Sequence, residues 1–398
     1  MRSLELFTGA GGLAIGTSRA GFRHQAVIER DGNACSTMRY NRDLGIHPVS
    51  EWPIYEMDVA DFDYATIQGE VDLLAGGPPC QPFSIGGKHR GHNDERNMFP
   101  EVLRAIRELK PRAILIENVK GLLRQSFSTY FEYIRLQLEH PEITRRNDEL
   151  WTQHLSHLER HHTGGLYEGL HYKIVVRLLN AANYGIPQKR ERVFIVGFRS
   201  DIEQKWSFPA PTHSLDALLW TQWKSGEYWE RHEIARNDRP KQPARFQSRI
   251  RQIPPICRFS LEPWKTVRDT ISDLPDPEND GFSDAIPNHR LNPGAKGYTG
   301  HTGSPLDEPA KTLKAGDHGV PGGENMLVKD NGKVRYFTVR ESARLQTFPD
   351  DFVFQGSWTE AMRQLGNAVP ATLAEIVAKE IHGVLKGKVG IESGQTTL

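Results

Sequence analysis

Cysteine is scarce in this 398-residue chain, which holds only Cys35, Cys80 and Cys257. Three thiols make no disulfide framework, so a secreted scaffold held by bridges is excluded. Net charge is absent as well, with 50 Lys and Arg against 50 Asp and Glu. Overall charge is therefore silent about a polyanionic partner, and any nucleic-acid face must be a local patch. No apolar run reaches the length that spans a bilayer. Met1-Arg2-Ser3 leads at once into a strand-like run, which leaves no room for a secretion signal. The expected setting is cytoplasmic, with no membrane partner.

What the chain does have is an apolar fraction of 37%, enough for a core, together with 36 Gly and 25 Pro that promise many turns. Leu4 to Phe7, Ala26 to Ile28, Val71 to Ala75 and Ala113 to Ile116 are apolar runs of strand length. Between them Leu13 to Gly21, Asn33 to Tyr40 and Met98 to Leu109 read as helices. This alternation predicts an α/β fold with a mixed, mostly parallel sheet covered on both faces. Val175 to Leu179 and Val193 to Gly197 extend it. Residues 124–172 interrupt the pattern as a polar, His-rich, helical insertion. From about Phe198 to Tyr336 periodicity fades, and five of the eight tryptophans fall between Trp206 and Trp264. We therefore expect one domain from 1–200 with 361–398, where Ala371 to Leu385 reads as an amphipathic helix. Residues 201–360 are expected to form a second, smaller, irregular domain.

Two turns point to a ligand. Phe7-Thr8-Gly9-Ala10-Gly11-Gly12-Leu13 leaves the first strand and opens the first helix, where glycine permits a tight turn and close approach of backbone to ligand. Glu29, twenty residues after Gly9, stands where a carboxylate can accept from ribose hydroxyls. Asp58 lies at the expected end of the third strand, placed to accept from an adenine amino group. Glycine here also serves packing alone, but a P-loop lysine is missing, which argues against a nucleoside triphosphate. The second turn is Gly76-Gly77-Pro78-Pro79-Cys80-Gln81-Pro82-Phe83-Ser84. It holds Cys80 at the carboxyl edge of the sheet, where open α/β folds bind ligands and where core packing is a poor alternative for a thiol. Glu117 follows a buried strand, an environment that favours the protonated acid. Arg190 and Arg192 alternate along Gln188-Lys189-Arg190-Glu191-Arg192 onto one face suited to an anion or carbonyl, or else form a solvated edge.

Together with Arg340-Glu341-Ser342-Ala343-Arg344-Leu345-Gln346-Thr347-Phe348-Pro349 and Gly366-Asn367-Ala368-Val369-Pro370, these blocks resemble the cytosine-C5 DNA methyltransferases of bacterial restriction-modification systems, in the family's order. The resemblance implies the S-adenosylmethionine-dependent methyltransferase fold, S-adenosyl-L-methionine as donor and no metal. It implies that Cys80 attacks C6 of a flipped-out cytosine, that Glu117 acts at N3, that Arg192 holds the base carbonyl, and that Arg190 holds a phosphate or the catalytic loop. Phe7, Gly9, Gly11, Gly12, Leu13, Glu29, Arg30, Asp58, Pro79, Asn367 and Val369 would line the donor pocket. Arg30 departs from the aromatic residue many members carry there. Residues 84–100 resemble the mobile loop that closes over DNA, with Ser84 and Lys88 as contacts. Double-stranded DNA is the implied partner, a cognate restriction endonuclease an associated but not stably bound one, and the monomer the working form. A bacterial cytoplasm, with nucleoid association through DNA, follows.

The family places DNA reading between the arginine block and Arg340. There Arg236, Arg239, Lys241, Arg245, Arg249, Arg251 and Arg258 stand against Asp238 alone within that span, a basic patch suited to phosphate. Thr312, in Pro309-Ala310-Lys311-Thr312-Leu313, resembles a family DNA contact. His154, His157, His161 and His162 have helical spacing and read as a solvated face, since no Cys or carboxylate pattern accompanies them. A tRNA cytosine methyltransferase of the same fold is the rival enzyme. Ser84 and the long variable region argue against it, and the presence of Cys80 and Glu117 argues against a silent DNA-binding module.

Overall fold

The computed structural model describes residues 1–79, 98–165, 168–203, 205–256, 259–279, 285–298, 302–315 and 325–387. Cys80, Ser84, Lys88 and Arg258 lie outside them. The chain divides into two compact units. The first is Met1–Leu179, Glu191–Pro209 and Ala374–Leu398; the second is Asn180–Arg190 and Ala210–Leu373. The second unit thus reaches back to Asn180–Arg190 and on to Leu373, whereas the sequence set its limits at 201 and 360.

The first unit is built on strands β1 (Arg2–Leu6), β2 (Arg23–Glu29), β3 (Ile54–Glu56), β4 (Leu73–Gly76), β5 (Ala113–Val119), β6 (Tyr172–Asn180) and, after the two-residue β7 (Gln188–Lys189), β8 (Glu191–Arg199). They align in the order β3-β2-β1-β4-β5-β8-β6. Strands β1 to β5 run parallel, and β8 is antiparallel to β5. The near-continuous apolar runs of β4 and β5 follow from this position, because a central strand is buried on both faces. Its parallel strands bring the turns after β1, β2, β4 and β5 to one edge of the sheet.

Helices α1 (Gly12–Arg19), α2 (Gly32–Asp43) and α3 (Phe99–Leu109) cover the sheet. In α3 the apolar residues Phe99, Val102, Leu103 and Ile106 recur at helical spacing and are all buried. Pro100 sits in its first turn, where no amide partner is lost, and Lys110 closes it in the left-handed conformation at φ 47°. The helix Ala371–Leu385 completes the unit, with Ala374, Val377, Ala378 and Ile381 fully buried.

The insertion is less polar than its composition. Helices α4 (Ser128–Glu139) and α5 (Trp151–Gly164) give Tyr130, Tyr133, Ile134, Leu136, Leu138, Leu155 and Leu158 to the main core. His154, expected on a solvated face, is fully buried. Its Nδ1 meets the Tyr133 hydroxyl at 2.9 Å and its Nε2 meets the Ile143 carbonyl at 3.1 Å. Burial of an imidazole is tolerated here because both ring nitrogens have partners.

The second unit is irregular, as its sequence implies. Its strands are two or three residues long. Its core is aromatic: Leu218, Tyr228 and Trp229 pack with Trp223 and Trp264, beside Leu219, Ile250 and Ile253. The Arg-Glu-Ser block forms the helix Val339–Leu345, opened by a capping box between Thr338 and Glu341. Glu341 also takes a two-pronged contact from Arg335, at 2.7 and 2.6 Å, and both side chains are buried. No helix of the described residues is long and apolar enough to cross a membrane.

Candidate active site

At the β1 edge the chain turns sharply. Phe7 holds φ 56°, a left-handed conformation that costs a non-glycine residue about 1–2 kcal/mol. Such an outlier beside a glycine turn marks a ligand site more often than a packing need. Gly9 follows at φ +57°, and a Cβ there would meet nothing within 4 Å, so the backbone faces open space. Gly11, the α1 N-cap at φ +93°, has the opposite constraint: a Cβ would lie 2.8 Å from the Trp52 ring. Gly12 and Leu13 start α1 and are buried.

Glu29 ends β2 and organises this turn. Its Oε2 accepts the Gly9 amide at 2.7 Å, and its Oε1 accepts the amides of Arg30 at 2.9 Å and Asp31 at 2.8 Å. The carboxylate is thereby aimed by three backbone donors and keeps acceptor capacity for a ligand. Arg30 and Asp58 meet each other, Nη1 to Oδ2 at 3.0 Å. Asp58 also caps a short helical turn by accepting the Ala60 amide. That amide first, and Arg30 after it, hold the Asp58 carboxyl below its usual range although burial opposes them. An adenine amino group would share Asp58 with Arg30.

The second group lies where β4 and β5 end. Glu117 and Asn118 belong to β5 itself rather than to a following turn. The Arg192 Nε, from antiparallel β8, stands 2.7 Å from Glu117 Oε1, and each side chain is about a tenth exposed. Glu117 therefore faces a buried guanidinium, not the bare apolar wall expected from sequence. Its Oε2 packs against Gly77, where an added Cβ would come within 3.3 Å. Asn118 donates from Nδ2 to the Pro78 carbonyl at 3.2 Å, and its Oδ1 accepts the Val119 amide. The Gly-Pro-Pro turn is thus tied to β5 on the approach to Cys80, and Pro79, half-buried, is its last described residue.

Arg190 departs from expectation. It lies between β7 and β8, its amide bonds to the Gln188 carbonyl at 3.0 Å, and the regular alternation that would pair it with Arg192 on one face is broken there. It is fully buried in the second unit and donates to the carbonyls of Leu313, Gly366 and Ala368 at 3.0, 2.7 and 2.8 Å. Three carbonyls around one guanidinium make a structural clasp, not an open phosphate contact. In the same unit Asn367 ends the helix Trp358–Asn367 and is exposed, while Val369 beyond it is buried. The Thr312 hydroxyl is directed inward, donating to the Lys189 carbonyl at 2.7 Å.

The basic patch is smaller than its sequence count. Carboxylates distant in sequence neutralise two of its members: Arg249 pairs with Asp216 and Arg245 with Glu308. Arg239 is half-buried, and its Nε reaches the Ile234 carbonyl at 3.4 Å. Arg236, Lys241 and Arg251 are exposed and make no ion pair among the described residues.

Gln188 and Gln346 lie in motif blocks, and the sequence assigns neither a role. Gln188 Nε2 donates to the Leu345 carbonyl and to Gln346 Oε1, both at 3.2 Å, and its Oε1 accepts the Leu313 amide. Gln346 Nε2 in turn donates to the Leu365 carbonyl. This buried amide network joins three motif blocks, and only the burial of two glutamines reveals it.

A family model described as C-5 cytosine-specific DNA methylase matches residues 1–141 and 166–383. The type II methyltransferase M.PspPI of a Psychrobacter strain is 32% identical over 390 residues, covering 96% of this chain and 79% of that protein. M.NgoMIV of Neisseria gonorrhoeae is 31% identical over 96% of this chain and 98% of its own. Among solved structures, a Spodoptera frugiperda DNMT2 variant aligns with a TM-score of 0.55 at 16% identity, over 97% of this chain and 99% of its own. Schizosaccharomyces pombe Dnmt2 methyltransferase aligns at 0.53 and 18% identity, over 97% and 99%. These two likenesses concern the fold.

Proposed function

Because the chain belongs to the C-5 cytosine-specific DNA methylases, and curated relatives that cover most of it are type II methyltransferases, we propose that it methylates cytosine C5 in a specific double-stranded DNA sequence. The setting we propose is a restriction-modification system, with the monomer as the working form and residues 210–373 as the part that reads sequence. The observation that carries this reading is the turn from β4 toward Cys80, braced by Asn118 and pressed against Glu117.

When bound, S-adenosyl-L-methionine supplies an electrophilic methyl group. The open space at Gly9, the left-handed Phe7-to-Gly11 turn and the oriented Glu29 carboxylate fit such a nucleoside, with Asp58 and Arg30 beside it. The Cys80 thiolate adds to cytosine C6, and the displaced electron pair makes C5 nucleophilic. Glu117 stabilises this step at N3 while Arg192 fixes its carboxylate and reaches toward the base carbonyl. C5 takes the methyl group as its bond to the sulfonium breaks, which leaves the thioether S-adenosyl-L-homocysteine; loss of the C5 proton to a base then expels the Cys80 thiolate and restores the ring. The target base must leave the stack to reach Cys80.

Native protein should form a covalent complex with 5-fluorocytosine DNA, and Cys80→Ser should not, while still binding DNA. A Cys80→Ser protein that traps the substrate would remove Cys80 from the mechanism. A tRNA substrate methylated in preference to DNA would overturn the proposed substrate.

A further inference from the structure

Six of the sixteen histidines lie between residues 140 and 171, and the fold draws two of them to one carboxylate. Glu139 is the last residue of α4, His140 caps that helix, and His162 lies in the last turn of α5. The nearest ligand atoms of Glu139, His140 and His162 all lie within 4.8 Å of one another. We propose that Glu139, His140 and His162 bind a divalent transition-metal ion of the zinc class, which pins the end of α4 to the last turn of α5.

The chemistry of the set favours that occupant. Two imidazoles and one carboxylate are the ligands of three-protein-ligand zinc sites, with a fourth position left to water. Tetrahedral zinc with bonds near 2.0–2.1 Å needs ligand atoms about 3.3 Å apart. The edge from His162 Nδ1 to Glu139 Oε2 is already 3.1 Å. His162 is exposed, so its ring can adjust and water can reach the fourth position. Glu139 and His140 are buried, which restrains them as a fixed half-site. Arg135, one turn earlier on α4, donates to Glu139 Oε1 and leaves Oε2 to face His162. Metal-bound carboxylates are oriented by such partners. His162 also lies in residues 142–165, the stretch that the family model leaves unmatched. Of the three ligands His162 alone lies there, whereas Glu139 and His140 belong to the end of the matched stretch 1–141. The carboxylate that faces His162 comes from the preceding helix.

The test uses full-length protein without a histidine tag, stripped with chelator and dialysed. Titration with zinc chloride should show one equivalent bound with a Kd at or below about 1 µM. Cobalt chloride should give the ligand-field absorption of a four-coordinate ion, and zinc should raise the thermal midpoint. His162→Ala, at an exposed position that does not threaten folding, should weaken binding by about 100-fold or more. Glu139→Gln should do the same, while His157→Ala on the same helix should not. Absence of saturable zinc binding would overturn the proposal. Binding unchanged in both His162→Ala and Glu139→Gln would also overturn it, and the cluster would then be an ion pair alone.

Discussion

Replacing Glu117 by glutamine changes one atom type yet removes the only negative charge within reach of the Arg192 Nε at 2.7 Å that the described residues provide. Each partner is about a tenth exposed, so water can do little to rescue the survivor. Unit charges about 4 Å apart interact by about 4 kcal/mol at an effective dielectric of 20. Breaking a buried pair from one side costs about 3–5 kcal/mol because the remaining charge stays desolvated. Glu117→Gln should therefore destabilise folding by about 3 kcal/mol or more, and Arg192→Met by a similar amount. The double variant should cost less than the sum by at least about 1.5 kcal/mol. Urea is the appropriate denaturant, since guanidinium salts screen the pair. Methyl transfer, measured in single turnover at a temperature where the variant stays folded, should slow by about 100-fold or more with donor binding little changed. Additivity of the two substitutions within about 0.5 kcal/mol would refute the coupling, and a near-native transfer rate would remove Glu117 from catalysis.

Arg190→Met leaves three buried carbonyls without their donor and should cost about 3–5 kcal/mol in urea unfolding. The salt dependence of DNA binding should not change, and a reduced slope would return Arg190 to the phosphates. Alanine at Arg236, Lys241 or Arg251 should weaken DNA binding and lower that slope by about one each, whereas Arg245→Ala and Arg249→Ala, whose charges are already paired, should change it less. Equal effects at all five positions would refute the distinction. Burial pushes His24 down to about 4 despite the Ala14 carbonyl, so its neutral form belongs to the folded state. Its contribution is complete above the unfolded value near 6.5 and is lost as pH falls toward 4, by about 3 kcal/mol in all. His140, also pushed to about 4, adds to the same slope. Urea midpoints should therefore fall between pH 6.5 and 4, less steeply in His24→Gln, and an identical slope in that variant would sink the assignment.

The first unit was legible because its signals are local. Apolar runs such as Ala113 to Ile116 mark central strands, and glycines at φ +57° and +93° mark a turn that other residues strain to adopt. The purposes of the charged blocks were not legible, because their partners are distant in sequence. Arg190 finds Leu313 and Ala368, Arg249 finds Asp216, and Glu117 finds Arg192 across an antiparallel register. Spacing alone states that an arginine alternates with another, but not which carbonyl lies above it. His154 shows the same limit, since only the Tyr133 hydroxyl and the Ile143 carbonyl make its burial affordable.

The backbone passes between the two units at Leu179–Asn180, Arg190–Glu191, Pro209–Ala210 and Leu373–Ala374. Residues 374–385 then supply Ala374, Val377, Ala378 and Ile381 to the first unit, and Arg112 closes on the Leu385 carbonyl at 3.2 Å. During translation the nascent sheet must therefore wait for its last helix while residues 210–373 emerge. At about 5–20 residues per second that delay is roughly 8–33 s. Throughout it the ribosome carries an incomplete apolar surface, an opening for chaperones and for aggregation. A stop codon anywhere in residues 210–373 would leave the first unit without its closing helix, although every strand of its sheet had been made.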